Sequence, residues 1–203
     1  MIRRLCVAGA TVALLLAGIA PSMAIGPAGL AAPMREQVAH IKVARPTLAP
    51  FGFVSYCVRN ADDCQELSGP GSVKWTHALL RELRRVNYKV NRSLRPRNEA
   101  AGKDQWRADV GSGDCEDYVL TKRRELIRRG FPVNAMRIAV VKTPNNVGHA
   151  VLVVSTSRGD IVLDNRTNSI VNWYETDLSW VMIQSGGNPL FWSEVDTSED
   201  RGA

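Results

Sequence analysis

The stretch Gly111-Ser112-Gly113-Asp114-Cys115-Glu116-Asp117-Tyr118 decides how the rest of the chain is read. Small residues lead to an acid and a thiol. The apolar positions that follow, Val119, Leu120, Leu126 and Ile127, have helical spacing, and Gly130 with Pro132 just beyond makes a C-terminal stop. Asp114 suits the N-cap, where its carboxylate would accept from the orphan N–H groups of the first turn. Cys115 then falls in that turn, where the positive end of the helix dipole favours thiolate, the reactive form of the side chain. Cys115, Val119 and Leu126 share one helical face, so the sulfur points along the buried side. A nucleophile in this geometry needs a base.

Working outward, the chain has 203 residues with 45% hydrophobic and 23% charged content, enough for one soluble domain with a sizeable core. Its beginning reads differently. Arg3 and Arg4 form a basic n-region, Leu5 to Ala20 is an uncharged apolar run, and Ser22-Met23-Ala24 is a small-x-small cleavage site. Residues 1–24 are therefore expected to be a signal peptide, cut after Ala24, with export to the periplasm. The competing reading is a transmembrane anchor, for which the run is short and is broken at Pro21. Cleavage would remove two arginines and take the formal charge from +6 to +4. That is compatible with acidic envelope polymers, but solvated arginines explain it as well. No run of basic and aromatic residues resembles a nucleic-acid platform, and no stable membrane insertion is expected after cleavage.

Cys6 would leave with the signal, so Cys57, Cys64 and Cys115 remain. In an oxidising compartment an odd count suggests one pair and one free reactive thiol. Cys57 and Cys64 flank the turn-like Arg59-Asn60-Ala61-Asp62-Asp63 and are expected to pair, leaving Cys115 free.

Residues 25–50 are rich in Gly, Ala and Pro and read as a poorly ordered lead-in. Phe51 to Cys57 reads as a short extended segment. Ser72 or Thr76 can cap a helix with Leu79, Leu83, Val86 and Val90 at helical spacing and a basic, solvated opposite face. In the same helix Asn87 and Asn91 are four residues apart and are either polar contacts with the second lobe or simply exposed. Asp104-Gln105-Trp106 reads as a short helix or turn that sets Trp106 against the core. Strand patterns follow the cysteine helix: Arg137–Lys142, then a central His149–Thr156 that is apolar on both faces, then Ile161–Asn165. Trp180–Gln184 reads as the last strand, and 193–203 as a frayed tail. The domain proper is expected over 51–192, with no internal repeat.

A hairpin turn at Ser157-Arg158 would set Val151 opposite Asp164, leaving His149 one diagonal step away on the same face. An odd loop or a bulge would break that parity. If it holds, the carboxylate can fix the imidazole tautomer and the imidazole can take the Cys115 proton. Each residue also has a plainer role: a buried small hydrophobe for Cys115, a satisfied polar group for His149, a simple turn for Asp164-Asn165. His40 lies in the lead-in and His77 at a helix start, so His149 is the preferred base.

Gly113-Asp114-Cys115-Glu116-Asp117-Tyr118, Gly148-His149-Ala150-Val151-Leu152 and Val162-Leu163-Asp164-Asn165 together resemble the bacterial transglutaminase-like cysteine proteinases, including the LapG-type periplasmic branch. The similarity extends to Tyr56-Cys57-Val58-Arg59-Asn60, the Val86-Asn87 and Val90-Asn91 pairs, and Asp104-Gln105-Trp106. The resemblance implies an α+β, papain-like fold in which a helical lobe and the nucleophile helix pack on an antiparallel sheet. It implies Cys115 as nucleophile, His149 as general base and then acid, and Asp164 as the residue that orients the imidazole. It implies an exported cysteine endopeptidase that cuts a cell-envelope protein through a thioester, in the LapG-type branch a surface adhesin. In that branch acidic residues flanking the cysteine bind calcium, and Asp114 and Glu116 match those positions. Charge agrees: three acids beside a thiol raise its pKa, and a cation held by oxygen ligands would offset them. The acids could equally be a helix cap and solvated charges. Two other functions remain open: acyl transfer to an amine, as in a transglutaminase or deamidase, and a non-catalytic envelope-binding module.

Overall fold

The computed structural model describes residues 40–66, 68–100 and 102–197. The expected signal peptide and most of the expected lead-in lie outside them. Three α-helices, α1 (Phe51–Arg59), α2 (His77–Ser93) and α3 (Cys115–Arg128), pack on an antiparallel sheet. The chain is thus α+β. In sheet order its seven strands are β1 (Val43–Thr47), β9 (Trp192–Val195), β8 (Ser179–Gln184), β4 (Met136–Lys142), β5 (Gly148–Thr156), β6 (Gly159–Leu163) and β7 (Ile170–Asn172). Two short parallel strands, β2 (Arg95–Pro96) and β3 (Ser112–Gly113), tie the loop after α2 to the residues just ahead of Cys115. Among the described residues no helix is long and apolar enough to cross a membrane.

β5 is buried from His149 to Thr156 because both of its faces are covered. Ala150, Leu152 and Val154 meet Leu83, Val86, Val119 and Leu126 from the helices. Val151 and Val153 join Val162, Val141, Trp180 and Ile183 on the other side. Each fully buried aliphatic side chain of this kind contributes about 1.5–3 kcal/mol. α2 starts where Thr76 Oγ1 accepts the Leu79 N–H at 3.0 Å, and it buries Leu83, Val86 and Val90 while its arginines face water.

Several expectations are corrected. Phe51–Arg59 is helical, because Phe53, Tyr56 and Cys57, three and four residues apart, all enter the core. Trp106 is buried edge-on to Phe53 with ring centroids 5.6 Å apart, but no helix carries it there. Part of the expected lead-in is β1, which pairs with β9, where Thr47 faces Trp192. β9 in turn includes Ser193 to Val195, part of the expected frayed tail, so Trp180–Gln184 is not the last strand. β7 is too short to show a period. Cys57 and Cys64 form the expected disulfide, and Cys115 is a free thiol.

Candidate active site

α3 begins at Cys115, and the glycine two residues before it is required by packing. A Cβ on Gly113 would meet Asp117 Oδ2 at 2.0 Å. That carboxylate is fixed by the Arg107 backbone N–H at 2.7 Å and by Arg107 Nη2 at 3.1 Å. Burial still pushes Asp117 up to about 6, against the opposing pull of Arg107. At the far end Gly130, with φ +81°, lets the chain leave α3 in a conformation that side-chained residues avoid.

Asp114 occupies the N-cap, but contrary to expectation its side chain caps nothing. Oδ1 is buried without a hydrogen-bond partner. The carboxylate instead joins Glu116 and Glu99, each offering one oxygen, all within 4.8 Å of one another. Glu99 is not identifiable from the sequence. It arrives because β2 pairs with β3 and the Arg97 N–H donates to the Gly113 carbonyl at 2.9 Å, folding the intervening loop back over the start of α3. Three clustered carboxylates, one with a buried and unpartnered oxygen, fit a hard cation that takes oxygen ligands.

The Cys115 thiol donates to Glu116 Oε2 at 3.2 Å. Burial, then the Glu116 charge and hydrogen bond, push the thiol up, and Asp114 adds to this; the Ala150 backbone N–H on the sulfur pulls the other way. The favourable end of the helix dipole is outweighed. Burial also raises Glu116, to about 8.

β5 and β6 pair Leu152 with Leu163 and Thr156 with Gly159, leaving Ser157-Arg158 as a two-residue loop. One further step of that register sets Val151 against Asp164 and His149 on the diagonal. His149 Nε2 is 2.8 Å from Asp164 Oδ1, and both residues are buried. Burial would raise Asp164. The hydrogen bonds from His149 and the Arg166 N–H, with the charge of Arg166, hold it below its ordinary range instead. An ionised carboxylate only accepts, so Nε2 carries the hydrogen and Nδ1 is left to take a proton. Arg166 was not anticipated. Its N–H donates to Asp164 Oδ1 at 2.9 Å and its Nε to Oδ2 at 3.1 Å, while its Nη2 binds Asp177.

Cys115 packs against the core cluster that includes Ala150, the residue after His149. Among the described residues no hydrogen bond joins Sγ to the imidazole; the thiol is turned to Glu116. Two turns along α3, Lys122 is fully buried with no hydrogen-bond partner for Nζ. Burial lowers it to about 7, opposed by the charge of Asp164.

The sequence profile of the bacterial transglutaminase-like cysteine proteinases matches residues 43–200. Among solved structures, calcium-bound LapG of Legionella pneumophila superposes with a TM-score of 0.51 at 23% identity, over 62% of this chain and 75% of LapG. Another structure of LapG from the same organism gives 0.50 at 24% identity, over 64% of this chain and 75% of LapG. At these identities the likeness bears on the fold. No curated protein matches the chain.

Proposed function

The chain belongs to the bacterial transglutaminase-like cysteine proteinases and is a cysteine peptidase of that type; from this we propose that it is an exported endopeptidase in which Cys115, His149 and Asp164 act as one catalytic unit. The observation that carries the assignment is the buried His149–Asp164 pair at 2.8 Å, at the start of β5, with Cys115 packed against the core that includes Ala150. For reaction, Cys115 leaves Glu116 by rotation about its Cα–Cβ bond and presents its proton to Nδ1. The sulfur adds to the carbonyl carbon of the scissile peptide, and the developing oxyanion is met by the Cys115 backbone N–H at the start of α3. His149 then protonates the leaving amine as the C–N bond breaks, and a thioester remains. Water, deprotonated by the same imidazole, adds to the thioester and frees the sulfur. Asp164 keeps the ring in the required tautomer and stabilises the imidazolium.

Glu99, Asp114 and Glu116 are assigned as the ligands of a calcium ion. LapG, structurally similar, is described in a calcium-bound form. Bound there, calcium supplies positive charge against the acids that otherwise hold the thiol protonated. The proposed substrate is a protein of the cell envelope such as a surface adhesin, and the proposed location is the periplasm, with which the Cys57–Cys64 disulfide agrees.

The test is in two parts. Purified protein is alkylated at Cys115 with and without the substitution His149→Ala, and envelope proteins of wild-type and Cys115→Ala cells are compared for one whose length changes. A thiol no faster than free cysteine, indifferent to His149, would sink the catalytic unit. A thioester that goes predominantly to an added primary amine rather than to water would turn the peptidase into an acyl transferase.

A further inference from the structure

β6 ends at Leu163 and β7 begins at Ile170, so residues 164–169 lie outside the strand ladder. Their backbone groups need other partners, and α2 supplies them. Asn87 and Asn91, one helical turn apart, face this segment together. Asn87 Nδ2 donates to the Thr167 carbonyl at 3.0 Å. Asn91 Nδ2 donates to the same Thr167 carbonyl at 2.9 Å, to the Asp164 carbonyl at 3.1 Å and to Asn168 Oδ1 at 3.3 Å. The Oδ1 atoms of both asparagines are buried without a partner, so the amides are oriented by what they donate to and not by what they accept. The two asparagines therefore share one contact and differ in two: both fix Thr167, and only Asn91 reaches Asp164 and Asn168.

We propose that Asn91 is a positioning residue for the candidate active site, setting the Asp164 backbone so that its carboxylate meets His149, while Asn87 anchors the same loop without acting on the site. Arg166 fixes the carboxylate itself, through Oδ1 and Oδ2. It belongs to the same loop, however, and moves with it. Asn91 links the Asp164 backbone itself to the helical lobe, across 73 residues of sequence. A shift of a fraction of an ångström in the Asp164 backbone changes the length and angle of the bond to Nε2, and misplacements of this size are costly in catalytic sites. The role of Asn91 in setting the His149–Asp164 bond is independent of the assigned chemistry; its effect on the thiol rests on the reading of Cys115, His149 and Asp164 as one unit.

The contrast between the two asparagines is the experiment. Asn91→Ala and Asn87→Ala are made in the mature chain and compared with the parent by thermal unfolding, by the low-field proton NMR signal of the His149 Nε2–H, and by the rate of Cys115 alkylation with iodoacetamide. Both variants are expected to lose stability, since each loses a bond to Thr167, and Asn91→Ala also loses those to Asp164 and Asn168. Only Asn91→Ala should move or abolish the Nε2–H signal and slow alkylation, by about fivefold or more. If Asn91→Ala does not fold, Asn91→Ser, too short to reach Asp164, is read in the same way. An unmoved signal in the Asn91 variant, or equal displacement in the Asn87 variant, overturns the proposal. An alkylation rate that His149→Ala leaves unchanged removes the catalytic reading instead, and the NMR signal still decides on Asn91.

Discussion

His149 Nε2 and Asp164 Oδ1 lie 2.8 Å apart, fifteen residues distant in sequence and both buried. Replacing the acid by its amide keeps the shape and removes the charge that fixes the tautomer. Asp164→Asn should lower kcat/KM by about 10²–10⁴-fold while leaving the fold intact. The folded-state pKa of Asp164 is depressed, so its ionisation stabilises the fold above the ordinary carboxylate range. That contribution is lost as pH falls through the folded value. Melting curves of parent and variant should therefore converge in acid and separate toward neutral pH; parallel curves would refute the charge argument.

Glu99, Asp114 and Glu116 are brought together in the folded chain and separate on unfolding. Calcium should raise the melting temperature, by about 2.7 kcal/mol of stability at a hundredfold excess over its dissociation constant. Chelation should reverse the gain, and Asp114→Asn with Glu116→Gln should abolish it. Calorimetric titration reads the binding without any substrate. A melting temperature indifferent to calcium would remove these three residues as ligands.

Lys122 is a buried amine without a hydrogen-bond partner, so the fold bears its desolvation. Its folded pKa is lowered to about 7, well below that of an exposed lysine. Below that value the folded chain carries the full penalty. Between it and the unfolded pKa the penalty fades as pH rises, because the unfolded chain then holds more protons. Lys122→Met should stabilise the protein by about 1–4 kcal/mol at neutral pH and by much less near pH 10. A destabilised variant at neutral pH would mean that the amine has a partner.

The Cys57–Cys64 bridge joins α1 to the turn that carries Asp63. Asp63 binds Tyr56 and Arg124, so the bridge supports the contact between α1 and α3. Its loop is short, with a sequence separation of 7, and the chain-entropy argument assigns it about 2–3 kcal/mol. Reduction should lower the melting temperature by several degrees without unfolding the protein at room temperature. A midpoint that does not move on reduction would show that packing of Phe53 and Tyr56 is sufficient by itself.

The parts legible in sequence are those in which local chemistry sets geometry. Gly130 and Pro132 bound α3, and the two-residue turn at Ser157-Arg158 sets the register that brings Asp164 beside His149. Glu99 and Arg166 lie in loops whose paths depend on remote contacts, β2 with β3 and α2 with the segment after β6, and periodicity carries no trace of these, whereas the four-residue spacing of Asn87 and Asn91 already allowed the contacts they make with that segment. Asp114 shows another failure. The residue type suits a cap, yet its carboxylate lies with Glu99 and Glu116 and takes no hydrogen bond from the helix N–H groups. Phe51–Cys57 reads as extended because seven apolar-rich residues fit either period, and the packing of Trp106 and Trp192 against Phe53 shows which face is inside.

β1 holds one rim of the sheet, with Val43 against Val195 and Thr47 against Trp192, and Arg45 reaching Glu194 at 2.7 Å. Pro46 and the irregular register beside it make this strand a poor template for further pairing. A chain begun at Phe51 would uncover β9, whose backbone donors and acceptors would then be free to recruit strands from other molecules. Such a shortened protein should self-associate during purification, whereas one that retains residue 40 onward should remain monodisperse.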